Sequence, residues 1–150
     1  ENKDALRDLQ VVDNFVKYVP CSNQMLMQIV LRTLFNLSFD MEIREQMVKN
    51  SMIPKLVDLL QNKHFRSVAL RILYHLSIDD RCKSMFTYTE VIPYMMRIII
   101  EFPANQVANE LAALAINLSL NDRNCGLMVQ GSNFKQLTER AIRRRDPLLM

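Results

Sequence analysis

The sequence predicts an all-α chain: a right-handed superhelical solenoid, in which a three-helix unit of about 40 residues is stacked on copies of itself. Three observations predict it. The 150 residues include two glycines and five prolines against 49% hydrophobic residues, and two glycines cannot furnish the tight turns of an all-β domain. The tripeptides Asn36-Leu37-Ser38, His75-Leu76-Ser77 and Asn117-Leu118-Ser119 recur 39 and 42 residues apart. From the first residue of each, an apolar anchor follows 17 positions on, at Ile53, Ile92 and Phe134.

The elements then fall in order. Residues 1–39 form a cut copy of the unit, in which Val12-Asp13-Asn14-Phe15-Val16 aligns with Ile53-Pro54-Lys55-Leu56-Val57. A long helix follows, with Leu26, Ile29, Val30, Leu34 and Leu37 at helical spacing. Asp40 opens the first full unit, 40–78, with a side chain suited to cap a short helix whose core residue is Met47. A second helix starts at Pro54, where a missing N–H costs nothing, and buries Leu56, Val57 and Leu60. A third carries Val68, Ile72, Leu73 and Leu76 on one face.

The next unit, 79–120, repeats this with Asp79 as cap, Phe86 in the core, Pro93 at the second helix and Met95, Met96 and Ile99 inside. Its third helix presents Leu111, Leu114, Ala115 and Leu118. A last partial unit, 121–150, has Asn121 as cap, Met128 in the core, and Asp146-Pro147 as the cap and first turn of another third helix. A short, a medium and a long helix per period is the pattern of armadillo repeats rather than of two-helix HEAT repeats. Repeat arrays finish in polar capping units. Neither end has one, and the chain opens on Glu1, so a slice of a longer solenoid is expected.

Composition excludes several functions. A net charge of +3, from 19 Lys+Arg against 16 Asp+Glu, is too small for the dense basic face that nucleic acid requires. No apolar run reaches the ~18 residues of a membrane span, so no direct membrane insertion is expected, and no signal peptide is visible. Cys21, Cys82 and Cys125 are odd in number and widely spaced, which suits buried free thiols in the reducing cytosol rather than zinc or disulfides. Without a glycine-rich loop no cofactor is expected.

No catalytic constellation assembles either. His75, Ser77 and Asp79 look triad-like, but residues two apart on a helix diverge. His64 and His75 lie roughly 16 Å apart along a helix rising ~1.5 Å per residue, too far to share a metal. The two Asn-Leu-Ser sequons sit inside predicted helices and read as repeat signatures, not glycosylation sites. The ten methionines read as core filler, since Met47, Met95 and Met128 hold repeating inward positions.

A polar row runs beside the apolar stripe of each long helix at spacing four: Gln28, Arg32 and Asn36, then Ser67, Arg71 and His75, then Asn109, Ala113 and Asn117. Third helices line the concave wall of such a superhelix, so this row is the candidate protein-binding groove. Its amides offer both a donor and an acceptor to an extended peptide backbone. A solvated or internally bonded face stands beside that reading. Arg140, Arg143, Arg144 and Arg145 form the densest charge in the chain, a secondary basic patch able to dock an acidic partner or simply to face solvent.

More specific strings accompany the periodicity: LYHLSIDDRCKSMFTYTEVIPYMM (Leu73 to Met96), FNLSFD (Phe35 to Asp40), MVKNSMIPKLVDLL (Met47 to Leu60), INLSLNDRN (Ile116 to Asn124) and the terminal DPLLM. In these the chain resembles the kinesin-associated protein family, the non-motor armadillo subunits of heterotrimeric kinesin. The resemblance implies a protein without catalytic activity. It implies binding to the tails of two kinesin heavy chains, and to cargo-linking proteins for microtubule-based transport, including intraflagellar transport. It also implies a cytoplasmic, microtubule-associated place, the cilium or flagellum among them. It carries no motor-contact residue onto particular positions.

Two other armadillo adaptors compare less well. The groove of nuclear-import adaptors resembles a paired array with Trp four residues before each Asn. The positions here are Arg32, Arg71 and Ala113, and two cations repel a lysine-rich signal. A catenin-type adhesion or signalling adaptor fits the arginines, which favour carboxylates, but lacks the specific strings.

Overall fold

The computed structural model describes residues 11–150, so the first ten residues of the expected partial unit lie outside the described residues. Among the described residues the chain is helical throughout, with no strand. In order it forms α1 (Val11–Val16), α2 (Gln24–Leu37), α3 (Met41–Lys49), α4 (Met52–Leu59), α5 (Arg66–Leu76), α6 (Asp80–Met85), a 3-10 turn (Phe86–Tyr88), α7 (Val91–Glu101), α8 (Asn109–Ser119), α9 (Asp122–Met128) and α10 (Asn133–Arg144).

Local chemistry accounts for the boundaries. The Asp40 carboxylate accepts from the Glu42 and Ile43 amides at 3.0 and 3.2 Å, and Asn121 accepts from the Asn124 amide at 3.1 Å, satisfying first-turn donors of α3 and α9. Asp79 opens α6 without a side-chain cap, because the Arg44 guanidinium holds its carboxylate through two nitrogens. Helices α4 and α7 start two residues before Pro54 and Pro93, at Met52 and Val91. The first four N–H groups of a helix have no internal acceptor, so a proline at the third position is as harmless as at the first. Between α3 and α4, Ser51 takes the left-handed region (φ 56°); between α9 and α10, Gly131 does (φ 65°).

Like helices stack on like. Helices α2, α5 and α8 form one row, α4, α7 and α10 a second, and α3, α6 and α9 a third, the last step passing through the 3-10 turn. Between the rows runs one continuous core that includes Leu31, Leu34, Met47, Leu56, Ile72, Leu73, Leu76, Phe86, Ile92, Met95, Leu114 and Leu118. Burying a side chain of this size stabilises by about 1.5–3 kcal/mol. Met27, Met47, Met52, Met95, Met96 and Met128 are inside, whereas Met25, Met41, Met85 and Met150 are exposed, so the core-filler reading covers only the first group.

Three expected core positions differ. Leu26 and Ile29 face outward, and the buried stripe of α2 is instead Met27, Val30, Leu31, Leu34 and Leu37. Among the described residues α2 packs, within its row, on α5. Ile53 and Ile92 are buried, but Phe134 is 64% exposed. In the two preceding units a third helix lies on the second. Here residues 146–150 form a single turn with Asp146 as its cap, as expected, and Phe134 is exposed. Asp146 is fully buried and accepts from the Val107 amide at 2.9 Å and the Leu148 amide at 3.0 Å, fastening that turn to the preceding loop.

The side-chain bonds between distant residues share one length. Arg44 to Asp79, Asn50 to Asp13, Thr87 to Asn124, Arg71 to Glu110, Asn117 to Ser77 and Asn124 to the Lys83 carbonyl all span 35 to 41 residues. Each unit is tied to the neighbour one period away, the quasi-one-dimensional pattern of a repeat stack.

Candidate functional site: a groove between neighbouring long helices

Side chains four apart on a helix project from one face, and two such faces meet where α2 lies against α5. They bound an open groove of about 340 Å³, lined by Gln28, Arg32, Phe35, Asn36, His64, Phe65, Ser67, Val68 and Arg71. Five members of the polar row, Gln28, Arg32, Asn36, Ser67 and Arg71, therefore meet in one place. Phe35, His64, Phe65 and Val68 were outside the expected set. The available signal was adjacency: Phe35 precedes Asn36, and His64 and Phe65 lead directly into α5.

The two arginines differ in surroundings. Arg32 is exposed and has no acidic partner among the described residues. Arg71 reaches Glu110 in the first turn of α8, with both its Nε and its Nη2 3.2 Å from the carboxylate. That pair is half exposed and contributes on the order of 0–1 kcal/mol, but it offsets one of the groove's two guanidinium charges. Glu110 sits one residue after the expected Asn109.

The remaining members of the row stand apart from the groove. His75 is only 8% exposed. Its Nδ1 lies 2.6 Å from Ser38 Oγ, its ring stacks on Phe35 at 5.1 Å, and the Phe39 ring meets it edge-on at 4.4 Å. Ser38 Oγ also lies 2.6 Å from the Phe35 carbonyl, which can only accept, so the hydroxyl proton goes there and the imidazole Nδ1–H is the donor to Ser38. Burial first, and the Arg44 charge second, hold the imidazole below its ordinary pKa of 6.5. Asn117 likewise donates to Ser77 Oγ at 3.1 Å while Ser77 donates to the Tyr74 carbonyl at 2.6 Å. Asn109 is exposed at the start of α8, with a long 3.5 Å contact from Gln106.

The recurrent serine thus has a physical role. Ser38, Ser77 and Ser119 each return a hydroxyl proton to the carbonyl three residues back at a helix end. The first two also accept a side chain from the next unit. The residue after each serine, Phe39, Ile78 or Leu120, is large, apolar and exposed.

The basic run divides. Arg140 is 2% exposed and donates to the carbonyls of Phe102 and Ala104 at 3.1 Å and of Asn105 at 3.5 Å, with Asp146 at 3.6 Å. Residues 102–108 are non-helical, and a guanidinium with five donors satisfies carbonyls that no helix reaches. Burial lowers the Arg140 pKa, while Asp146 acts in the opposite sense. Arg144 is half-buried against the Asn105 side chain at 3.3 Å, so only Arg143 and Arg145 are exposed as a basic patch requires.

The three cysteines are free, and burial, followed by the Asp79 charge, pushes the Cys82 thiol up to about 11. Among the described residues there is no group of three or more His, Cys, Asp or Glu able to hold a metal ion, and no helix long and apolar enough to cross a membrane.

Stacked helical units, bonds one period long and an open polar groove define a helical-repeat protein. The family model for Kinesin-associated protein (KAP) matches residues 1–150, and the chain belongs to that family. Among curated proteins, Protein HGH1 homolog of Dictyostelium discoideum is 33% identical over 58 residues. That stretch is 39% of this chain and 16% of the relative's length.

Proposed function

We propose that the chain is a non-catalytic, protein-binding part of a kinesin accessory subunit. It binds the tails of two kinesin heavy chains and links the motor to cargo proteins on microtubules, in the cytoplasm and in cilia or flagella. It binds no nucleic acid, does not insert directly into a membrane and needs no cofactor. The stacked units are read as armadillo repeats in a right-handed superhelix, with boundaries at 40–78 and 79–120 between partial units. The family match over the whole chain carries this reading. The groove between α2 and α5 is its proposed partner site, and Gln28, Asn36 and Ser67 supply donors and acceptors for a peptide backbone.

Affinity capture with the tagged chain from ciliated cells tests it. Two kinesin heavy chains are expected in the eluate. Their absence, with helicity intact by circular dichroism, overturns the reading.

A further inference from the structure

We propose that the groove selects an acidic, extended peptide whose carboxylate pairs with Arg32 and whose apolar side chain, three residues away, seats on Phe35 and Phe39. The inference rests on the groove being a partner site and specifies its ligand chemistry. The lining includes Arg32, Arg71 and His64 and contains no Asp or Glu, so its charge is of one sign. Glu110 already occupies Arg71, which leaves Arg32 as the guanidinium open to a ligand. A planar guanidinium receives a carboxylate through two parallel hydrogen bonds, and a lysine-rich segment is repelled.

The apolar subsite adjoins it. Phe35 lines the groove, and the Phe39 ring packs edge-on against it at 5.5 Å while remaining 61% exposed. A large aromatic surface left open beside an unpaired cation suits a ligand side chain that covers it. Arg32 lies five residues before the end of α2 and Phe39 two residues beyond it, a separation on the order of 10 Å at ~1.5 Å per helical residue. An extended chain covers that distance in about three residues at ~3.3 Å each. The spacing therefore specifies an acid and an apolar residue three positions apart.

Fluorescence anisotropy on the whole chain tests this with labelled synthetic peptides carrying Glu, Gln or Lys three residues from a single Phe, in both orders, in a Gly-Ser-Ala background. At low salt the Glu peptide is expected to bind about tenfold tighter than the Gln peptide and to weaken with added NaCl, with the Lys peptide weakest. Arg32→Glu should reverse the order, Phe39→Ser should weaken the Glu peptide, and Lys135→Glu, at an exposed position of α10, should change nothing. Equal binding of the three peptides, no detectable binding of any, or an unchanged order in Arg32→Glu overturns the proposal. Capture of kinesin heavy chains is read separately. Their recovery without a Glu preference overturns only the groove chemistry. A Glu preference without heavy chains supports the groove chemistry and overturns the kinesin reading.

Discussion

Ser38 Oγ and His75 Nδ1 sit 2.6 Å apart although 37 residues separate them, and Ser77 Oγ and Asn117 Nδ2 repeat the relationship one unit on at 3.1 Å. At His75 and Asn117 the polar residue that precedes Leu-Ser is thus a clasp on the unit before it. In His75 the clasp is also an aromatic plug, held between Phe35 and Phe39.

Replacing His75 by Ala removes a buried donor and empties the space between two rings, at an expected cost of about 2–3 kcal/mol. His75→Asn, the residue found at positions 36 and 117, keeps a donor and should recover part of that loss. Urea unfolding is the measurement, with a lower midpoint and unchanged m-value expected for Ala.

The same imidazole sets a pH dependence. Burial and Arg44 lower its pKa in the folded state relative to 6.5, so the unfolded chain binds the proton more readily, and stability rises with pH in that range. The contribution is present above 6.5 and is lost as pH falls below it towards the depressed folded value. Thermal midpoints measured downward from pH 7.5 should fall for the wild type and fall less for His75→Asn. Equal slopes for the two proteins would contradict this assignment.

Arg44 has a side chain only 9% exposed and holds Asp79 across 35 residues while donating to the Ser38 carbonyl at 2.9 Å. Removing the carboxylate by Asp79→Ala leaves a nearly buried cation unpaired, at an expected cost of about 2–4 kcal/mol. A double-mutant cycle with Arg44→Met should show the two losses strongly non-additive.

Arg140 and Arg143 should separate cleanly. Arg140→Ala deprives three carbonyls of their donor and the buried Asp146 of its ion-pair partner, and is expected to cost more than about 3 kcal/mol. Arg143→Ala, on an exposed face, should stay within about 0.5 kcal/mol. Guanidinium unfolding of the pair checks it.

What the sequence carried well is whatever repeats. The caps at Asp40 and Asn121 and the buried Met47, Phe86 and Met128 all follow from chemically similar residues recurring at one place, and the structure honours them. What it carried poorly depends on neighbours in space. Nothing in the run of arginines tells Arg140 from Arg143, because the difference lies in a loop 35 to 38 residues earlier whose carbonyls need a donor. Phe134 aligns with Ile92 in sequence, yet it is exposed where Ile92 is fully buried. In the groove, adjacency of Gln28, Arg32, Asn36, Ser67 and Arg71 followed from helical spacing. The diversion of His75 to Ser38, and of Glu110 to Arg71, needed the stacking of one helix on the next.

The clasps that span 35 to 41 residues have a mechanical meaning. A fastening that reaches one period carries load to the adjacent unit and no further. Among the described residues no side-chain bond runs the length of the stack to share the force when the chain is drawn out by its two ends. The chain is expected to let go in steps, one unit at a time, each step releasing on the order of 100 Å of chain.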